Sequence, residues 1–125
     1  VVVEVVPLNG HDEGELLERA AGLEARSEHP LARAITEYAA SKGVAVTTAE
    51  DLRAVPGKGA VGRWQGREFW LGSPRYLAER GQETDDVLGR VAAMTAAGRS
   101  VVVVGNEKHV CGLIALADAV RPAAR

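Results

Sequence analysis

The sequence predicts a single α+β domain built around an antiparallel sheet. Three observations lead to this fold class: the order of the strand and helix patterns, the short turns between neighbouring strands, and the length of the chain. At 125 residues, the chain has the size of one domain. Strands that come in hairpins and helices that come in pairs are typical of α+β proteins, whereas alternating single elements would favour a parallel sheet.

The N-terminal part predicts one strand followed by two helices. The β-branched run 1–6 is typical of a strand. Asp12, with Glu15 three residues later, forms a capping-box pattern and predicts the start of the first helix. Pro30 suits the first turn of a second helix, which we expect to end at Gly43.

The central part predicts three or four strands. Residues 44–53 alternate loosely and contain strand-forming residues, so we expect strands there. The runs 60–64 and 67–71 flank Gln65-Gly66, a dipeptide typical of a two-residue hairpin turn.

The C-terminal part predicts two further helices and a final hairpin. We expect the helices to begin at Pro74 and after Thr84. The apolar runs 100–104 and 109–117 have the length of strands, and Gly105-Asn106 predicts the turn between them. The whole order gives an antiparallel sheet of about six strands.

The composition excludes several classes of function. The chain is 46% hydrophobic and 26% charged, which is ordinary for a globular domain with a core. A net charge of -2 gives no basic surface, so we expect no nucleic-acid partner. No run approaches the roughly 20 apolar residues of a membrane-spanning helix, so we expect no direct membrane insertion. The chain begins at Val1 and its only methionine is Met94, which indicates a processed product or a fragment of a longer protein.

The single cysteine, Cys111, lies in an apolar run. One cysteine cannot form an internal disulfide, and its neighbours predict a buried, unreactive thiol. Trp64 and Trp70 fall on predicted hairpin strands without a basic stripe, so we expect them to be packing residues.

Glu24 and His29 are the first candidates for ligand contacts. Glu24 follows Ala20 by four residues, which places it on the apolar side of the first predicted helix. It is either an edge residue that reaches solvent or a carboxylate directed at a ligand. His29 precedes Pro30, which disfavours helical geometry for it, so His29 is either a helix cap or a ligand contact.

The segment Gly57-Lys58-Gly59 also has two interpretations. Paired glycines permit a bent connection into a strand, or they let the backbone approach a flat ligand closely. The segment is not a phosphate-binding P-loop, because that motif continues with Ser or Thr into a helix. Lys58 is either a solvated loop lysine or a phosphate contact. Gly72-Ser73 is consistent with a helix start alone.

Other chemical constellations are missing from the sequence. No paired cysteines are present, and the histidines at positions 11, 29 and 109 lack ligand spacing among themselves. No Gly-x-Ser-x-Gly nucleophile motif occurs. We therefore expect neither a catalytic residue nor a metal site within this chain.

Four segments occur together in one order. The first is Ser27-Glu28-His29-Pro30 with Glu24 five positions before the histidine, and Gly57-x-Gly59, Gly72-Ser73 and the run 112–118 follow. In this order they closely resemble the nucleotide-binding (N) domain of the heavy-metal-transporting P-type ATPases. The resemblance covers essentially the whole chain and implies an antiparallel sheet flanked by two helical hairpins.

The resemblance also implies roles for these residues. Glu24 would accept a hydrogen bond from the adenine amino group of ATP, and His29 would position the adenine ring or its binding loop. Gly57 and Gly59 would shape the wall of the cleft.

Gly72 and Ser73 would be secondary members of the same nucleotide site. Many members of the family carry asparagine where this chain has Ser73.

For the parent protein, the resemblance implies a heavy-metal cation-exporting pump whose cytoplasmic N-domain holds ATP, as Mg-ATP in the intact pump. Segments 1–7 and 118–125 would lead from and to the phosphorylation domain, and the partners would be the phosphorylation and actuator domains of the same chain. The Asp-Lys-Thr-Gly-Thr phosphorylation site would lie before Val1, so the isolated chain would bind ATP without hydrolysing it. Gly72-Ser73-Pro74 and the exit run Ala115-Leu116-Ala117-Asp118 are slightly more similar to zinc, cadmium and cobalt exporters than to copper exporters. The alternative is a non-catalytic regulatory or protein-interaction domain.

Overall fold

The computed structural model describes residues 1–27 and 29–117. Within this part of the chain, strands and helices follow the predicted order. They are β1 (Val2–Pro7), α1 (Glu13–Leu23), α2 (Pro30–Ser41), β2 (Glu50–Val55), β3 (Gly59–Trp64), β4 (Arg67–Gly72), α3 (Pro74–Arg80), α4 (Asp85–Ala96), β5 (Ser100–Asn106) and β6 (Val110–Leu116). The predicted exit segment 118–125 lies outside the described residues.

The six strands form one sheet in the order β1-β6-β5-β4-β3-β2. Every neighbouring pair is antiparallel, which confirms the predicted fold class. The first strand runs beside the last one, so the two ends of the described chain meet. The Val1 amino group donates to the Ala117 carbonyl, and the Ala117 N–H donates back to Val1, both at 2.8 Å.

Helices cover both faces of the sheet. The alternation of side chains along β5 divides its valines between two hydrophobic cores. Val102 and Val104 belong to the core beneath α1 and α2, whereas Val101 and Val103 belong to the core beneath α3 and α4. Burial on both faces explains why β5 and β6 are nearly continuous apolar runs rather than alternating ones.

The prediction of strand structure from residue 44 was wrong over 44–49. Regular pairing begins only at Glu50, and β2 is irregular at Asp51, which has a φ of 52°. The preceding segment crosses the end of α1: the Ala49 N–H donates to the Gly22 carbonyl at 3.4 Å. A Cβ at Gly22 would lie 2.5 Å from the Thr47 carbonyl oxygen, so this glycine makes room for the crossing.

The predicted turn at Gly105-Asn106 was also wrong. Strand β5 continues through Asn106, and the chain reverses at residues 107–108. Gly105 is a glycine for a packing reason, since a Cβ there would lie 2.5 Å from the Trp70 indole. Trp70 is completely buried and Trp64 is 9% exposed, which confirms that both are packing residues.

The N-cap of α1 forms as predicted, but the second half of its capping box does not. The Asp12 carboxylate accepts the Glu15 N–H at 2.7 Å. The Glu15 carboxylate instead accepts a hydrogen bond from His11 Nδ1 at 2.9 Å. A histidine directly before the cap thus takes the carboxylate that a capping box would use.

Cys111 should resist alkylation as long as the chain is folded. Burial raises the pKa of its thiol to about 12, and the negative charge of Glu15 adds to the effect. At about pH 8, roughly one thiol in ten thousand would then be the reactive thiolate. We expect iodoacetamide to leave Cys111 unmodified by mass spectrometry until concentrated guanidinium is added. Rapid modification of the folded chain would contradict the burial of this thiol.

Candidate functional site

All six residues predicted as nucleotide contacts line one cavity of about 450 Å³. The cavity lies where β2 and β4 end and β3 and β5 begin, beside the turn from α1 to α2. Its lining residues are Glu24, Ser27, His29, Leu31, Ala54, Val55, Pro56, Gly57, Lys58, Gly59, Leu71, Gly72, Ser73, Val101 and Val102. The fold therefore brings together residues as far apart in sequence as Glu24 and Val102, which are 78 positions apart.

Glu24 lies at the C-terminal end of α1, where a negative charge is unfavourable for a helix. Helix α1 ends at Leu23, so Glu24 is its C-cap and not a residue on the apolar side of the helix, as the spacing predicted. A carboxylate at this end faces the partial negative charge of the helix dipole. Glu24 is also half-buried, and this burial raises its pKa. Within residues 1–27 and 29–117, no hydrogen bond or ion pair compensates its side chain. Such an uncompensated group in a cavity is typical of a ligand site.

His29 is the N-cap of α2, with extended backbone angles. Its backbone N–H donates to Ser27 Oγ at 3.2 Å, and its Nδ1 accepts the Leu31 N–H at 3.1 Å. Because Nδ1 accepts, the proton of the neutral ring is on Nε2. The cap and ligand interpretations of His29 are therefore compatible: one ring nitrogen caps the helix, and the other offers a donor.

Gly59 and Gly72 face each other across the β3–β4 ladder at the cavity wall. A Cβ at Gly59 would overlap the Leu71 carbonyl oxygen, and a Cβ at Gly72 would lie 2.7 Å from the Lys58 carbonyl oxygen. Both positions thus need glycine for close backbone packing. Gly57 differs: it has a φ of 73° with open space around its Cα, so its requirement is conformational.

Ser73 is the N-cap of α3. Its hydroxyl accepts the Tyr76 N–H at 3.3 Å, and its own N–H donates to the Lys58 carbonyl at 3.1 Å. Serine and asparagine are comparable N-cap residues. The serine in this chain can therefore preserve the local structure that asparagine would give at the same position.

Lys58 points its ammonium group at a carboxylate on the rim of the cavity. Its Nζ lies 2.7 Å from Glu79 Oε1 of α3, and both side chains are more than a third exposed. An exposed pair of this kind contributes at most about 1 kcal/mol, because water screens it. The pair nevertheless offsets the positive charge of Lys58, which lies between Gly57 and Gly59.

The apolar wall of the cavity was not identified from the sequence. Leu31, Leu71 and Val101 all lie at the beginning or end of an element, where periodicity gives the weakest signal. Their convergence depends on β5 pairing with β4, which is a long-range feature of the strand order.

Two histidines that looked unrelated by spacing are in contact. His11 Nε2 and His109 Nε2 lie 2.9 Å apart, although 98 residues separate them. Among the described residues, no group of three or more His, Cys, Asp and Glu side chains is arranged to hold a metal ion.

In the same part of the chain, no helix has both the length and the apolar character needed to cross a membrane.

Comparison with known proteins gives a consistent set of relatives. A copper-exporting P-type ATPase B from Archaeoglobus fulgidus is 45% identical over 124 residues, which cover 99% of this chain and 17% of that protein. The chain thus spans about a sixth of this relative. No protein-family model matches the sequence.

Solved structures show the same fold. A zinc-transporting PIB-type ATPase superimposes with a TM-score of 0.85 at 33% identity, covering 98% of this chain and 20% of that one. The N-domain of HMA8, a copper-transporting P-type ATPase, superimposes with a TM-score of 0.78 at 29% identity. That match covers 94% of this chain and 99% of the N-domain.

Proposed function

This chain belongs to the N-domains of the heavy-metal-transporting P-type ATPases, and on that premise we propose that it binds ATP by the adenine end. The observation that supports this most is the position of Glu24. Its half-buried carboxylate lines the cavity without a compensating partner among the described residues. An N–H donor from a ligand would supply the missing hydrogen bond and stabilise the charged form.

The cavity suits one flat ring system. Its volume of about 450 Å³ falls within the usual range of small-molecule sites, about 300–1,000 Å³. The adenine would lie against the apolar wall and the backbone of the glycine loop, and its amino group would donate to Glu24. His29 Nε2–H would donate to an acceptor of the ligand. Guanine carries a carbonyl oxygen where adenine has its amino group, so Glu24 would repel GTP.

The affinity should be modest, because one charged contact and apolar walls provide most of it. A dissociation constant of 1 mM corresponds to about 4 kcal/mol and one of 1 μM to about 8 kcal/mol. We expect a value in the weaker half of this range. The phosphates would mostly face solvent, and Lys58 is already paired with Glu79.

In the parent pump, the domain would hold ATP so that its γ-phosphate reaches an aspartate on the phosphorylation domain, outside this chain. Positioning and electrostatic stabilisation provide most of the catalysis in phosphoryl transfer. Segments 1–7 and 118–125 would connect the two domains, and the actuator domain of the same chain would be the other partner. Magnesium would accompany the nucleotide, and the domain would lie on the cytoplasmic side of a heavy-metal cation exporter.

A nucleotide titration followed by amide NMR tests this function. We expect ATP and AMP to shift signals at Glu24, His29 and residues 57–59, with dissociation constants within a few-fold of each other. GTP should bind at least about tenfold more weakly, since it loses the hydrogen bond to Glu24. The Lys58→Gln variant should bind ATP within about twofold of the unchanged chain.

The alternative of a regulatory or protein-interaction domain makes the opposite prediction. If saturating ATP leaves the signals around the cavity unchanged, the nucleotide proposal is wrong. Equal shifts with ATP and GTP would reject the role assigned to Glu24 while leaving nucleotide binding in place.

Substitutions of His29 should separate its cap role from its ligand role. Asparagine can cap α2 but cannot place a donor where Nε2–H lies, so His29→Asn should keep the stability of the chain and weaken ATP binding about tenfold. His29→Ala should weaken binding similarly and also lower the free energy of unfolding by about 1 kcal/mol. Urea denaturation and the ATP titration measure the two effects. Unchanged ATP binding by the asparagine variant would leave His29 with the cap role alone.

A further inference from the structure

The contact between His11 and His109 lies at the end of the sheet opposite the nucleotide cavity. The cavity includes Val101 and Val102 at the start of β5, whereas His109 follows the end of that strand. His11 belongs to the loop between β1 and α1. This contact therefore takes no part in the proposed ATP site and needs its own explanation.

Hydrogen bonds fix the two loops that carry these histidines. The Leu8 N–H donates to the Cys111 carbonyl at 2.9 Å, and Asn9 Nδ2 donates to the Val110 carbonyl at 2.7 Å. Asn106 Oδ1 accepts the backbone N–H groups of Lys108 and His109 at 2.8 and 2.9 Å. The backbone at both histidines is thus anchored by hydrogen bonds, which holds the two imidazoles close together.

Glu15 defines the chemistry of the pair. Its carboxylate accepts from His11 Nδ1 at 2.9 Å, and the His11 side chain is only 15% exposed. With the proton on Nδ1, the His11 Nε2 atom presents its lone pair to His109. A carboxylate that holds Nδ1–H while Nε2 binds a metal is the usual outer shell of a histidine ligand.

We propose that His11 and His109 form a two-histidine site for a borderline divalent transition-metal ion such as Zn²⁺, with Glu15 as the outer carboxylate and water completing the coordination. Zn–N bonds of 2.0–2.1 Å at a tetrahedral angle separate two nitrogen atoms by about 3.3 Å. The present separation is 2.9 Å, so the two nitrogen atoms must move apart by about 0.4 Å. The ring centroids lie 5.1 Å apart, so the two nitrogen atoms face each other nearly head-on, and both rings must also tilt to direct their lone pairs at one ion.

The metal takes the place of the hydrogen bond between the two rings. With the His11 proton on Nδ1, the proton in that bond belongs to His109 Nε2. In this tautomer His109 Nε2 does not accept from Asn106 Nδ2, which lies 3.5 Å away. Binding of the ion requires His109 to carry its proton on Nδ1 instead, and the change of tautomer is a specific signature of the site. No bond of the protein is made or broken apart from this proton movement and the two metal–nitrogen bonds.

The surrounding charges nearly balance. A cavity of about 330 Å³ beside the pair is lined by Arg67 and Lys108, which are cationic, and by Glu107. The carboxylates of Glu107 and Glu15 offset the charges of Arg67 and Lys108. The selectivity among metal ions therefore depends on the two imidazoles. Two imidazoles favour zinc, nickel and copper over magnesium and calcium.

Titration of the 125-residue chain with Zn²⁺ tests the site, with the imidazole ¹⁵N signals as the readout. We expect the signals of His11 and His109 to move at one equivalent, with His109 changing to the Nδ1–H tautomer, while Mg²⁺ has no effect. His109→Asn should weaken Zn²⁺ binding more than tenfold. Glu15→Gln should weaken it about tenfold.

His29→Asn is the matched control, because it removes the third histidine and should leave Zn²⁺ binding unchanged. If excess Zn²⁺ moves neither imidazole of the unchanged chain, the pair only shares a proton and the proposal is wrong. Binding that survives His109→Asn, or that requires His29, also overturns it. Because ATP binds at the other end of the sheet, none of these outcomes bears on the proposed nucleotide site.

Discussion

Replacing Gly59 with alanine is expected to lower the free energy of unfolding by about 3 kcal/mol and to abolish ATP binding. The added Cβ would overlap the Leu71 carbonyl oxygen, which is backbone and cannot move aside as a flexible side chain would. Overpacking of this kind typically costs about 1–3 kcal/mol, and strands β3 and β4 must separate to relieve it. Because Gly59 lines the cavity, the same movement displaces the wall on which the adenine would lie.

Gly57→Ala provides the matched control, only two residues away. Its Cβ would meet open space, and only the left-handed backbone at a φ of 73° resists the change. The cost should be about 1 kcal/mol. Urea denaturation of both variants at one protein concentration measures the difference. Equal losses of stability would show that the close approach to Leu71 is relaxed in solution and that the two glycines have one role.

Glu24→Gln is expected to weaken ATP binding about 10- to 100-fold while raising the stability of the chain. A hydrogen bond to a charged group is worth about 1.5–3 kcal/mol, which corresponds to that loss of affinity. Calorimetric titration with ATP measures it. Glu37→Gln, an exposed substitution on α2, is the control and should change neither property.

The gain in stability follows from the raised pKa of Glu24. An acid whose pKa is higher in the folded chain than in the unfolded chain favours unfolding once it ionises. The contribution of Glu24 to stability is therefore lost as the pH rises from the ordinary glutamate range through the raised pKa. The glutamine variant lacks this loss, so its advantage over the unchanged chain should be larger at pH 7 than at pH 4. If the advantage does not grow with pH, the burial of Glu24 has no energetic consequence.

Local signals were sufficient to predict most of the fold. Asp12, Thr84 and Ser73 cap helices as their residue types predict, and Gln65-Gly66 joins β3 to β4. The errors occurred where a long-range contact decided the local conformation. Gly105 looks like a turn residue until Trp70 is known to pack against it.

In the candidate site too, local signals were informative and long-range contacts were not predictable from the sequence. Spacing alone left Glu24 and His29 with two interpretations each, and the family resemblance favoured a ligand role for both. The apolar wall depends on the pairing of β4 with β5, which no short window of sequence contains. The contact of His11 with His109 depends on β1 lying beside β6, and a search for histidines at ligand spacing cannot detect it.

The pairing of β1 with β6 has a mechanical consequence. The first residue of β1 and the last residue of β6 lie side by side, and hydrogen bonds close the ladder between Val1 and Ala117. A force that separates these two residues would load the ladder one rung at a time, as in opening a zipper, instead of shearing all rungs together. The domain should therefore yield at low force in a single-molecule pulling experiment through residues 1 and 117. The same geometry places the two points at which a longer chain would continue side by side.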